Sequence, residues 1–65
     1  MKLNVRKIKL ILAEQEMNQS DLAVKIGVNR QQVNDMLSRE TCTLKSLGRV
    51  ARALGVKPAE IIKED

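Results

Sequence analysis

The stretch Gln19-Ser20-Asp21-Leu22-Ala23-Val24-Lys25-Ile26-Gly27-Val28-Asn29-Arg30-Gln31-Gln32-Val33-Asn34-Asp35-Met36-Leu37 holds two short amphipathic segments in close succession. In the first, Leu22, Ala23 and Ile26 recur at the three- and four-residue spacing of one helix face. Asn18 stands just before it as a capping residue, and Asp21 sits at the third helical position, where a carboxylate suits the positive end of the dipole. Gly27 follows as a helix-ending residue in the left-handed conformation that glycine takes without strain. Val28 is the next core residue. Asn29 is a second capping residue, and Gln32 three positions on completes the spacing of a capping box. The helix it opens, about residues 30–38, puts Val33, Met36 and Leu37 on one face.

The same period continues outward on both sides. Upstream, a helix of about Val5 to Gln15, capped by Asn4, has Ile8, Ile11 and Leu12 on its inner face. Its outer side is basic, with Lys2, Arg6, Lys7 and Lys9 giving residues 1–10 a charge of +4 and no acid. Downstream, Thr43 caps a helix of about Leu44 to Leu54, where Leu47, Val50, Ala51 and Leu54 form the longest apolar stripe and Gly55 ends it. Pro58 opens a last short helix through Ile61 and Ile62, at a position where its missing N–H costs nothing. No alternating strand pattern competes, so the expected fold is all-α with five helices. Gly48, inside the fourth helix, is expected to allow a close helix approach.

Composition bounds the function. The 65 residues make one domain at most, near the lower size limit for a fold without staples. With no His and one Cys there is no disulfide, no Cys/His zinc cluster and no His-based triad or general base. We therefore expect no enzyme, metal, cofactor or small-molecule substrate. The core must be aliphatic because aromatic content is 0%, which also removes the stacking platforms used to bind single strands. Apolar runs such as residues 10–13 fall far short of a membrane span. Cys42 reads as a small apolar residue of a reduced compartment, and the chain as cytoplasmic. Twelve Lys and Arg against eight Asp and Glu give +4, which favours a polyanionic partner.

The outer face of the third helix is the informative surface. At 100° per residue, Gln31, Asp35 and Ser38 point away from its apolar centre, flanked by Arg30, Gln32 and Asn34. These side chains end in the forks and amides that match base edges: Arg suits guanine O6 and N7, Gln or Asn suits adenine N6 and N7, and an acid accepts from cytosine N4. The bland alternative is a solvated face, and likewise Arg6, Lys7 and Lys9 read first as solubilising charge. Asn18 and Gln19 begin the second helix, where side-chain and backbone donors suit a phosphate.

Residues 19–37 resemble the helix-turn-helix of the lambdoid phage repressor and Cro-like family, the XRE-type regulators. Gln19 starts the second helix, Leu22-Ala23 fills its middle, Gly27-Val28 makes the turn and Met36-Leu37 closes the reading helix. Residues 43–47 and 51–56 are similar to that family's fourth helix, so the resemblance covers about residues 5–62. It implies a five-helix lambda-repressor-like domain over residues 1–65, with its helix-turn-helix at about 19–38. It further implies a regulator of transcription, a repressor that reads the major groove of double-stranded DNA at two half-sites, with docking geometry inherited from the family. Base readout falls to Arg30, Gln31, Gln32, Asn34 and Asp35, and phosphate contact to Asn18, Gln19, Arg39 and Lys45. The family also implies a homodimer, for which Leu3, Ile61 and Ile62 are left over as apolar contacts, while acidic Glu64 and Asp65 suit a face turned from DNA. Two other roles on the same fold are an antitoxin-type regulator that also covers a toxin and a protein-interaction module. The chain departs from the family at Ser38-Arg39-Glu40, where relatives often carry a Ser-Gly-Lys type of loop, so Arg39 is strained or the loop takes another path.

Overall fold

The structure, a computed structural model, describes residues 2–63; Met1, Glu64 and Asp65 lie outside it, and with them the acidic end expected to face away from DNA. The order is α1 (Val5–Glu14), α2 (Gln19–Ile26), α3 (Arg30–Arg39), α4 (Leu44–Leu54) and a 3-10 turn, Pro58–Ile61. Each α-helix starts at the predicted cap. The side chains of Asn4, Asn18, Asn29 and Thr43 accept from the backbone N–H of Lys7, Asp21, Gln32 and Ser46 at 3.1, 2.8, 2.8 and 3.1 Å.

The helix ends share one device. Met17, Val28, Thr41 and Val56 donate their N–H groups back to Leu12, Ala23, Met36 and Ala51, the bond that closes a helix through a left-handed residue. Glycine supplies that residue twice, at Gly27 (φ 75°) and Gly55 (φ 72°), and glutamate twice, at Glu16 (φ 56°) and Glu40 (φ 54°). A left-handed conformation costs a residue with a Cβ about 1–2 kcal/mol, so the two glutamates are held there by their surroundings. At the departure from the family's loop, Arg39 stays helical and Glu40 takes the left-handed position, so α3 ends one residue later than expected.

Five helices were expected, and the last is corrected to a 3-10 turn. Glu60 N–H bonds Lys57 C=O at 2.9 Å, three residues back, and Ile62 is already extended (φ −105°, ψ 150°). It is extended because it meets the start of the chain. Leu3 bridges Ile62 and Lys2 bridges Thr41, both antiparallel. Residues 2–4 thus form the middle of a narrow ribbon, with Leu3 N–H on Glu40 C=O at 2.8 Å, Asn4 N–H on Ile61 C=O at 2.8 Å and Lys63 N–H on Lys2 C=O at 2.9 Å.

The core is apolar throughout the described residues and draws on every helix: Ile8 and Leu12, Leu22 and Ala23, Val33 and Leu37, then Leu47, Val50, Ala51 and Leu54. Leu3 and Ile61 belong to it, both 0% exposed, with Ile62 packed against its edge. This corrects their assignment as apolar residues left over for a dimer: the ribbon turns Leu3 and Ile61 inward. Gly48 is corrected too, since a Cβ there would meet nothing within 4 Å and no close approach needs it. Gln15 ties the two ends of the fold, its amide donating to the C=O of Leu54 at 2.7 Å and satisfying a terminal carbonyl of α4.

Candidate nucleic-acid interface

Val33 and Leu37, 0% and 5% exposed, pin α3 to the core. Everything that faces the other way is exposed: Arg30, Gln31, Gln32, Asn34, Asp35, Ser38 and Arg39. Arg30 and Asn34 are one turn apart, as are Gln31 and Asp35, so the face presents two adjacent rows of polar ends. With its side chains an α-helix is about 10–12 Å across, so α3 fits a groove about 12 Å wide.

Gln32 is committed in part. Its side-chain oxygen accepts from Asn29 N–H at 3.0 Å while Asn29 accepts from Gln32 N–H at 2.8 Å, a closed capping box. With that oxygen engaged, the side chain has only its –NH2 to offer, and the bidentate pairing with adenine needs both ends. Gln31 makes no side-chain bond of this kind and keeps both ends. The sequence spacing pointed to the box and to base readout alike; the geometry makes the two compete.

The N-terminus of α2 comes beside α3. Asn18, Gln19 and Ser20 line an open cleft of ≈ 430 Å³ together with Arg30 and Asn34. Asn18 forms a capping box with Asp21, whose carboxylate accepts from Asn18 N–H at 2.9 Å. Asn18 uses its side-chain oxygen in that box, so its –NH2 remains for an acceptor in the cleft. The first N–H groups bonded at the helix start are those of Asp21 and Leu22, which leaves the Gln19 and Ser20 N–H groups at the open end. Two backbone donors and the Asn18 amide beside one cleft, at the positive end of a helix, suit a phosphate.

Arg39 and Lys45 flank the α3–α4 loop, both exposed, with Lys45 in the first turn of α4. A groove of ≈ 240 Å³ lies between α2, α3 and α4, lined among others by Ile26, Val28, Met36, Cys42 and Arg49. Burial pushes the Cys42 thiol above its ordinary value, so this cysteine holds its proton. No group of three or more His, Cys, Asp or Glu that could hold a metal ion occurs among the described residues.

A family model for the Cro/C1-type HTH DNA-binding domain matches residues 7–64. The chain belongs to this family. No curated protein matches it. As a Cro/C1-type domain it is a DNA-binding domain, and the resemblance read from residues 19–37 is correct. Among the described residues no helix is long and apolar enough to cross a membrane.

Of the predicted site residues, the fold of the Cro/C1-type domain brings Asn18, Gln19, Arg30 and Asn34 into one cleft, places Gln31 and Asp35 on the neighbouring row of α3, and sets Arg39 and Lys45 at the far end of α3 and the start of α4. Gln32 lines the second groove instead, on the side of Thr43, Ser46 and Arg49. Ser20 and Arg49 are among the polar residues beside these grooves that were not singled out from the sequence. Ser20 joins the phosphate-shaped cleft, and its position directly after Gln19 at a capped helix start was the available signal. Arg49 faces the α3–α4 groove, and nothing in its local pattern separates it from Arg52.

Proposed function

We propose that this Cro/C1-type domain is a cytoplasmic repressor of transcription, a single domain that reads a two-half-site operator in the major groove of double-stranded DNA. The observation that carries the reading is the outer face of α3, where Arg30, Gln31, Asn34 and Asp35 are all exposed beside the cleft at the start of α2. With α3 in the groove, Arg30 or Gln31 pairs with a purine edge, Asn34 with an adenine, and Asp35 with cytosine N4; Gln32 contributes only its –NH2 donors. Asp35 also repels phosphate, which penalises wrong registers. Asn18, Gln19 and the N–H groups at the start of α2 hold one phosphate, and Arg39 and Lys45 meet the backbone further along, fixing register without reading sequence.

Two copies bind one operator in this reading. Each copy offers one reading helix, α3, so a second half-site roughly 34 Å away needs a second domain. Leu3 and Ile61 do not supply the contact, since both lie in the core of their own copy. The pair is a homodimer whose contact lies elsewhere on the surface. A binding-site selection from random duplexes tests the reading: it expects a palindrome with half-sites about 10 bp apart centre to centre. Recovery of no preferred sequence refutes it, and a lone half-site bound by one copy refutes the dimer.

A further inference from the structure

The α3–α4 loop carries two of the proposed phosphate contacts at its edges, and it is held from two directions. Its turn is made by Glu40 at φ 54°, where a Cβ is a liability, and the next residue, Thr41, closes α3 through a 3.3 Å bond to Met36 C=O. The second hold comes from the two ends of the sequence. Leu3 N–H takes the Glu40 C=O at 2.8 Å, Lys2 bridges Thr41, and the other edge of the same segment is bonded to Ile61 and Lys63. Leu3 anchors the segment by a side chain that is 0% exposed. The Glu40 carboxylate reaches Lys63 Nζ at 3.9 Å, which partly offsets the negative charge that stands directly after Arg39.

We propose that Leu3, by anchoring residues 2–4 between the α3–α4 loop and the chain end, is a positioning residue of the DNA interface: it holds Glu40 in its left-handed turn and thereby aims Arg39 and the start of α4 at the phosphate backbone. The inference rests on the proposed DNA reading. It predicts that loosening the ribbon removes backbone contact and leaves base readout in place, because α3 itself is pinned by Val33 and Leu37.

The test uses the full chain with Leu3→Val, which trims the anchor, alone and combined with Glu40→Gly, which lets the turn form without being held. Leu3→Ala is the stronger variant, and Leu3→Val keeps the test meaningful should Leu3→Ala not fold. Amide hydrogen exchange and titrations of the selected operator and a scrambled duplex at several salt concentrations are read together. In Leu3→Val the Thr41 amide is expected to exchange about tenfold faster, beyond the smaller, common acceleration of Val50 and Leu54 that trimming a core residue brings. The salt slope falls by about one unit on both duplexes, with the ratio of operator to scrambled affinity unchanged. Glu40→Gly restores the slope, and Glu40→Gln, which removes the same charge but keeps the Cβ, does not. A purely structural Leu3 predicts otherwise: all amides speed up together and the slope stays at the parent value, and either result overturns the inference. A parent chain that binds neither duplex overturns the DNA reading beneath it, whatever the exchange rates show.

Discussion

Replacing Gln32 with Ala separates a cap from a reader. The change deletes one half of the capping box, the 3.0 Å bond from Asn29 N–H, and leaves the other half, Gln32 N–H to the Asn29 side chain at 2.8 Å, intact. An exposed neutral bond of this kind contributes about 0.5–1 kcal/mol net, of which the better helix propensity of Ala returns a small part. At about 2.1 cal/mol/K of unfolding entropy per residue, 65 residues give about 140 cal/mol/K, so the loss lowers Tm by about 4–7 °C at most. Gln32→Glu keeps the acceptor and adds a carboxylate at the positive end of α3, worth about 0.3–1 kcal/mol, so its Tm equals or exceeds that of the parent. Thermal unfolding followed by circular dichroism at 222 nm reads both. On DNA, Gln32→Ala changes the preference for operator over scrambled duplex by less than the roughly 1–3 kcal/mol expected for a bidentate reader. An unchanged Tm in Gln32→Ala, or a loss of preference as large as that of Gln31→Ala, refutes the assignment of this side chain to the cap.

Gly48→Ala fills open space in the interior of α4 and removes backbone freedom from the unfolded chain, so it raises stability by about 0.5–1 kcal/mol, seen as a Tm several degrees higher. Gly27→Ala does the opposite, since φ 75° strains any residue with a Cβ, and loses about 1–2 kcal/mol in the same assay. Cys42 has a thiol raised by burial, so the stability it contributes is fully present below the ordinary thiol range and is lost as pH rises through the higher folded value. Denaturant melts between pH 7 and 10.5 check this sign, and alkylation by iodoacetamide at pH 8 runs slower on the folded protein than on the unfolded one.

The helices were legible because their punctuation is local. Asn18, Asn29 and Thr43 cap within three residues of themselves, Gly27 and Gly55 take the left-handed turns glycine favours, and the apolar stripes have one period. The ribbon was not legible, because it is made of backbone N–H and C=O groups brought together from both ends of the chain, which leaves no side-chain pattern; Leu3 and Ile61 therefore looked like spare apolar surface. The same pairing pulled Ile62 into extended backbone and stopped the last helix after one turn. Glu40 was hidden because a left-handed turn at a residue with a Cβ leaves no signal in the side chain, and the same holds for Glu16. At the interface, the face of α3 followed from periodicity alone, whereas the cleft that joins Asn18 and Gln19 to Arg30 and Asn34 depends on how α2 packs on α3. The division of labour between Gln31 and Gln32 needed hydrogen-bond partners, which spacing alone does not assign.

On the proposed reading, α3 reads bases while charge elsewhere only binds the backbone. A titration of the selected operator and a scrambled duplex at several salt concentrations, comparing the parent with Gln31→Ala and Lys45→Ala, tests it most directly. Gln31→Ala should weaken the operator by about 1–3 kcal/mol per half-site with little change on scrambled DNA, since its amide carries no charge. Lys45→Ala should weaken both duplexes alike and lower the salt slope by about one unit. If Gln31→Ala leaves the preference for operator over scrambled DNA untouched, the reading face is not the outer face of α3, even in a protein that still binds DNA.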